Sequence, residues 1–186
     1  MKYQIWKTIE IGTPANSGSA LLKEVRIEGH RISGTAEKVL KPKLNWGKYH
    51  PSDERFPVSR VRRHINLVKI PADEIGMRRH PKDLNCLDAD VFIEKARELG
   101  VIPAPPETAP QYMLQYADQS PSEYLCFPFD GLQSCGDNIE IRAGIFTVVK
   151  EGTASVLGFL EDGPYFDGSI NKLLKEFKVQ FVFRVR

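Results

Sequence analysis

The sequence predicts an α+β fold: a single mixed, mostly antiparallel sheet with two to three helices packed on it. Three observations carry that expectation. A stretch near 89–99 has the apolar stripe of an amphipathic helix and the residues that start and stop one. Several segments after residue 110 alternate apolar and polar side chains, the two-residue period of a strand. The order along the chain is strand, helix-rich segment, strand, helix and then mostly strands, which suits helices gathered on a face of one sheet.

Residues 3–11 form the first expected strand, with Tyr3, Ile5, Ile9 and Ile11 at near-alternate spacing and Gly12-Thr13-Pro14 ending it. Ser17 or Ser19 can cap a helix running to about residue 28, since a hydroxyl there accepts from an orphan backbone N–H. Leu21, Leu22, Val25 and Ile27 supply its apolar stripe, and Gly29 suits its end. A second short helix is expected from Ser33 to Leu40. Residues 41–60 lose all periodicity, hold Pro42, Pro51 and Pro57, and read as one long basic loop. Val61 to Ile70 alternates again and reads as a strand closed by Pro71, with one helical turn at 72–77. In the helix at 89–99, Asp88 or Asp90 stands at the start, Phe92, Ile93, Ala96 and Leu99 face inward, and Gly100 fits the left-handed end position.

Residues 103–110 contain four prolines and are expected to be a stiff, extended connector. Strands are then expected at 111–117, 123–129, 143–149, 154–160 and 177–185. The pairs spanning 111–129 and 143–160 read as hairpins. The last strand alternates Phe177, Val179, Phe181, Phe183 and Val185 with Lys178, Gln180, Val182 and Arg184, so it is expected to bury one face and expose the other.

With 186 residues, 41% apolar and 27% charged, the chain is expected to fold as a single domain over 1–186. No apolar run reaches the ~18 residues that cross a bilayer, and residues 1–7 lack the core of a secretory signal. The expected location is therefore cytoplasmic, with no membrane partner. The three cysteines, Cys86, Cys126 and Cys135, include no C-x-x-C pair, so neither a disulfide framework nor a structural zinc site is expected. Cys126 and Cys135 could still meet across a hairpin.

Charge is uneven although the net is only +2. From Lys38 to Lys82 there are twelve Lys or Arg against four Asp or Glu, and three of the four histidines fall in the same stretch. That asymmetry points to an anionic partner, a nucleic acid or an acidic protein, or else to a solvated face opposite an acidic one. The candidate contacts are Lys41, Lys43, Trp46, Lys48, Arg60, Arg62 and Arg63, since cations neutralise phosphate and aromatics stack on bases. Trp46 could equally pin its loop to the core.

The run Ala96-Arg97-Glu98-Leu99-Gly100-Val101-Ile102-Pro103 leads into Glu107-x-x-Pro110-Gln111-x-x-Leu114-Gln115-Tyr116. With Phe181-Val182-Phe183-Arg184 near the end, it resembles a family of small uncharacterised bacterial proteins. These share a helix ending in Leu-Gly, a connector, and Glu-x-x-Pro-Gln-x-x-Leu-Gln-Tyr. The chain departs from them in lacking the connector cysteine and in its longer basic loop. The resemblance implies one compact domain and no particular activity.

Within that motif Glu107, Gln111, Gln115 and Tyr116 are a second candidate contact set, since amide side chains donate and accept together. The alternative is that they satisfy neighbouring backbone. No G-x-S-x-G elbow, H-E-x-x-H pair, P-loop or G-x-G-x-x-G fingerprint is present. No cofactor or metal is expected. The acidic residues Asp130, Asp137, Asp162 and Asp167 stand beside glycines, as turns require. A non-enzymatic binding domain is therefore the leading expectation. A protein-interaction module and a small hydrolase pairing His64 or His80 with Glu107 or Asp130 remain as alternatives.

Overall fold

The computed structural model describes residues 2–12, 17–41, 56–76, 89–116, 118–132, 141–161 and 178–186. The chain runs β1 (Lys7–Ile11), α1 (Gly18–Ile27), β2 (Arg31–Ile32), α2 (Gly34–Leu40), β3 (Arg63–Pro71), α3 (Ala89–Glu98), β4 (Val101–Ile102), α4 (Thr108–Gln115), β5 (Glu123–Leu132), β6 (Ile141–Glu151), β7 (Ala154–Glu161) and β8 (Lys178–Val185). The strands form one eight-stranded mixed sheet in the order β1-β3-β8-β5-β6-β7-β2, with β4 beside β8. β5 pairs with β8, and β2 with β7, in parallel; the other pairings are antiparallel. The α+β class holds, with four helices among the described residues instead of two or three.

Local signals explain several elements. Ser17 Oγ accepts from Ala20 N–H and Ser33 Oγ from Ala36 N–H, each at 3.2 Å, so both N-terminal serines cap their helices. Gly29 and Gly100, just past α1 and α3, have φ of 79° and 81°, which a Cβ would oppose. β6 and β7 make the expected hairpin, paired from Gly144↔Glu161 to Glu151↔Ala154.

Both faces of the sheet are covered. Leu21, Leu22 and Val25 of α1, Ala36 and Leu40 of α2, and Ala109, Tyr112 and Met113 of α4 pack on one face, against Ile9, Ile11, Leu67, Phe127, Phe146 and Val182. Ala96 of α3 packs on the other, with Val68, Ile70, Cys126, Phe181 and Phe183. This overturns the one-sided expectation for the last strand. β8 lies between β3 and β5, and Val179 through Phe183 is buried without a break, so its alternate residues feed two different cores.

Residues 108–115 also differ from expectation. Their pattern suggests the end of an extended connector and the start of a strand, with a hairpin over 111–129. Instead Thr108–Gln115 is a helix, and β5 pairs with β6 and β8. Pro110 does not forbid this, because it stands in the first turn, where an N–H has no intrahelical acceptor to lose. On a helix Gln111 and Gln115 share a face through i, i+4 spacing, as they would on a strand through i, i+2, but Tyr112 now turns inward.

Candidate functional site

The described part of the basic segment splits into two. Arg60, Val61, Arg62, Arg63 and His64 are all exposed, at the entry to β3. Arg62 Nε lies 3.5 Å from Glu10 Oε1, while Arg60 and Arg63 form no ion pair among the described residues. Lys69 is drawn away from this group. Its Nζ pairs with Glu123 at 2.8 Å and sits 4.5 Å from the ring centre of Trp6, so its charge is already answered inside the fold. Lys41 is the C-cap of α2. Lys43, Trp46 and Lys48 lie outside the described residues, as do His50 and His80.

One further cation joins the β3 entry that its position in the sequence did not suggest. Antiparallel pairing of β3 with β8 puts Arg184 opposite Leu67, on the same face of the sheet as Arg63 and four positions along β3 from it. Its Nε donates to the Pro103 carbonyl at 3.2 Å. Partial burial and the nearby Arg63 charge hold Arg184 below the usual guanidinium range. Arg186 follows and is exposed. Arginines from two adjacent strands thus share one face of the sheet.

In the Glu-x-x-Pro-Gln-x-x-Leu-Gln-Tyr motif, Glu107, Gln115 and Tyr116 are engaged with backbone, and Gln111 with Gln115. Glu107 is buried; Oε1 accepts from Ser59 N–H at 2.8 Å and Oε2 from Gly12 N–H at 3.3 Å. Burial raises its carboxyl above the ordinary value of 4.5, opposed by those two N–H donors and by Arg63. Gln115 Oε1 accepts from Glu10 N–H at 2.9 Å, and its Nε2 donates to the Glu10 carbonyl at 2.7 Å and to Gln111 Oε1 at 3.3 Å. Tyr116 OH donates to the Thr8 carbonyl at 2.6 Å. The motif therefore ties α4 to the outer edge of β1 and fastens the segment before β3 to Gly12.

A groove of about 430 Å³ opens beside that edge, between α1 and α4. Glu10, Glu24 and Glu28 line it with Gln111, Gln115, Leu114 and Ile27. These acids did not stand out in the sequence, although Glu24 and Glu28 carry a signal: like charges four residues apart on a helix repel.

Among the described residues no group of three or more His, Cys, Asp or Glu side chains is placed to hold a metal. His30 Nδ1 accepts from Ser155 N–H at 3.4 Å, and neither His30 nor His64 hydrogen-bonds a carboxylate there. Asp130 lies 3.5 Å from Arg97. Cys126 is a buried free thiol; Cys86 and Cys135 lie outside the described residues. No described helix is long and apolar enough to cross a membrane. Neither a protein-family model, nor a curated protein, nor a solved structure matches this chain.

Proposed function

We propose that this chain is a non-enzymatic binding domain that contacts an anionic partner, a nucleic-acid backbone, through Arg60, Arg62 and Arg63 with Arg184 beside them. One observation carries the reading: Arg60 to His64 is exposed without interruption, and Arg63 shares a sheet face with Arg184 of the neighbouring strand. Two neighbouring guanidinium groups repel unless an anion lies between them, and the planar fork of each suits phosphate oxygens. Lys41, Lys43, Trp46 and Lys48 enter the proposal on sequence grounds alone, as cations and an aromatic ring suited to phosphate and base, and the suggested kinship with small uncharacterised bacterial proteins is compatible with it.

The test is binding of single- and double-stranded oligonucleotides over a salt series. Neutralising three or four phosphates gives a log–log slope of about −3 to −4 on duplex DNA and somewhat less on a single strand. No affinity at low salt, or an affinity indifferent to salt, would reject the reading.

A further inference from the structure

The surface around the end of β1 holds two patches of opposite sign that meet at one ion pair. The groove supplies the acidic patch, Glu10, Glu24 and Glu28 around Ile27 and Leu114. The β3 entry supplies the basic one, Arg60, Arg62 and Arg63 around Val61. Glu10 lines the groove and also reaches Arg62, so that pair is the seam. Gly12 sets the patches close together, because a Cβ there would strike the Val61 carbonyl.

Each patch is unsatisfied in the same two ways. Ile27 and Val61 are 69% and 70% exposed, the largest values among the described large hydrophobics. The charges that line the groove beside Ile27 are acidic, Glu24 and Glu28, with Arg26 turned to Glu37 and Lys23 outside the lining, and those about Val61 are basic, Arg60 and Arg62. Glu24 and Glu28 also stand at the C-terminal end of α1, where the helix dipole disfavours acids, and neither is ion-paired among the described residues. Folding gains nothing from that arrangement. An apolar centre with a cationic rim would relieve it, and the chain carries such a surface next door.

We propose that two copies associate through this bipolar surface about a two-fold axis at the Glu10–Arg62 seam. A two-fold operation lays the acidic patch of each copy on the basic patch of the other, so one self-complementary surface closes the assembly without leaving a free half. Opposite charge around an apolar centre supplies encounter rate, register and buried area together. The inference goes beyond nucleic-acid binding and draws on the same arginines, so oligonucleotide and second copy compete for them.

Sedimentation velocity at low salt tests it with two charge-reversed variants of the full chain, Glu24→Lys/Glu28→Lys and Arg60→Glu/Arg62→Glu. The wild type sediments as a dimer that salt dissociates. Each variant alone associates at least about tenfold more weakly, because its reversed patch meets like charge. An equimolar mixture of the two recovers the dimer, since both contacts are then complementary again. Should either charge reversal fail to fold, the exposed apolar pair Ile27→Ser and Val61→Ser replaces it, with the same weakening expected. A monomeric wild type, variants that dimerise unchanged, or a mixture that stays monomeric would overturn the proposal. Glu24→Lys/Glu28→Lys leaves every arginine in place and keeps oligonucleotide binding, so loss of the dimer is separable from failure of the nucleic-acid reading.

Discussion

Gln115 holds Glu10 by both of its backbone groups, accepting from the N–H and donating to the carbonyl. That is how a residue of a neighbouring antiparallel strand would bond it. One amide side chain thus stands in for a missing strand on the outer side of β1, with Tyr116 taking the next outward carbonyl at Thr8. An open edge invites pairing with other chains, and here a helix closes it.

Replacing Gln115 tests the device. Gln115→Ala removes three hydrogen bonds, two to Glu10 and one to Gln111, and is expected to cost about 1 kcal/mol or somewhat more, read from the urea midpoint. Gln115→Glu keeps the acceptor but sets a carboxylate against the Glu10 carbonyl, and is expected to cost more. A midpoint unchanged in both variants would show that the clamp contributes no stability.

Glu107 makes stability depend on pH. Its folded-state pKa is raised, so its favourable contribution is complete below the ordinary 4.5 and is lost as pH rises through the folded value. The wild type should therefore lose stability relative to Glu107→Gln as pH climbs from the acid side. The new amide of Glu107→Gln would turn its NH2 toward a backbone N–H, a constant offset that leaves the slope difference intact. Glu107→Ala orphans the Ser59 and Gly12 N–H groups and is expected to cost about 2–4 kcal/mol. Parallel pH curves for wild type and Glu107→Gln would refute the assignment.

Arg60 and Lys69 separate surface charge from structural charge. Arg60→Ala is expected to weaken oligonucleotide binding and to flatten the salt slope by about 1. Lys69→Ala should leave that slope alone and lower stability by about 1 kcal/mol, because Glu123 and Trp6 lose their partner. Equal effects of both on binding would remove the distinction.

Gly12 combines a φ of 74° with close approach to the backbone of Val61. Neither obstacle is a flexible side-chain end, so Gly12→Ala is expected to cost about 2 kcal/mol or more in thermal or urea unfolding. It should also disturb the Arg60–Arg63 segment, weakening anion binding beyond what the stability loss explains.

Cys126 is wholly enclosed, and burial pushes its thiol far above the usual range. In a chain with Cys86→Ser and Cys135→Ser, it should resist a thiol reagent until urea unfolds the protein. Fast modification under native conditions would contradict its placement.

The sequence was most legible where the period and its punctuation agree. α1, α2 and the β6–β7 hairpin combine regular spacing with Ser17, Ser33 or Gly152 at their ends. α4 was hidden by Pro110, which marks a break in the interior of a helix but not in its first turn. In β8, alternation says which residues share a face, not whether a second core waits beneath the other. Gln180, 5% exposed, is polar yet enclosed by the strands on either side. The glutamines of the motif were visible as a spaced pair. Their target, the outward backbone of β1, lies some hundred positions away, and Arg184 joined Arg63 only through strand order.

The position of β8 has a consequence for how this chain is made. It is the strand that joins β1-β3 to β5-β6-β7-β2, yet the ribosome delivers it after both. Until residue 185 emerges from the exit tunnel, two half-sheets must wait with apolar flanks uncovered. Pairing of this central strand is therefore long-range and slow, and a chain that lacks it leaves two unfinished sheets open to aggregation.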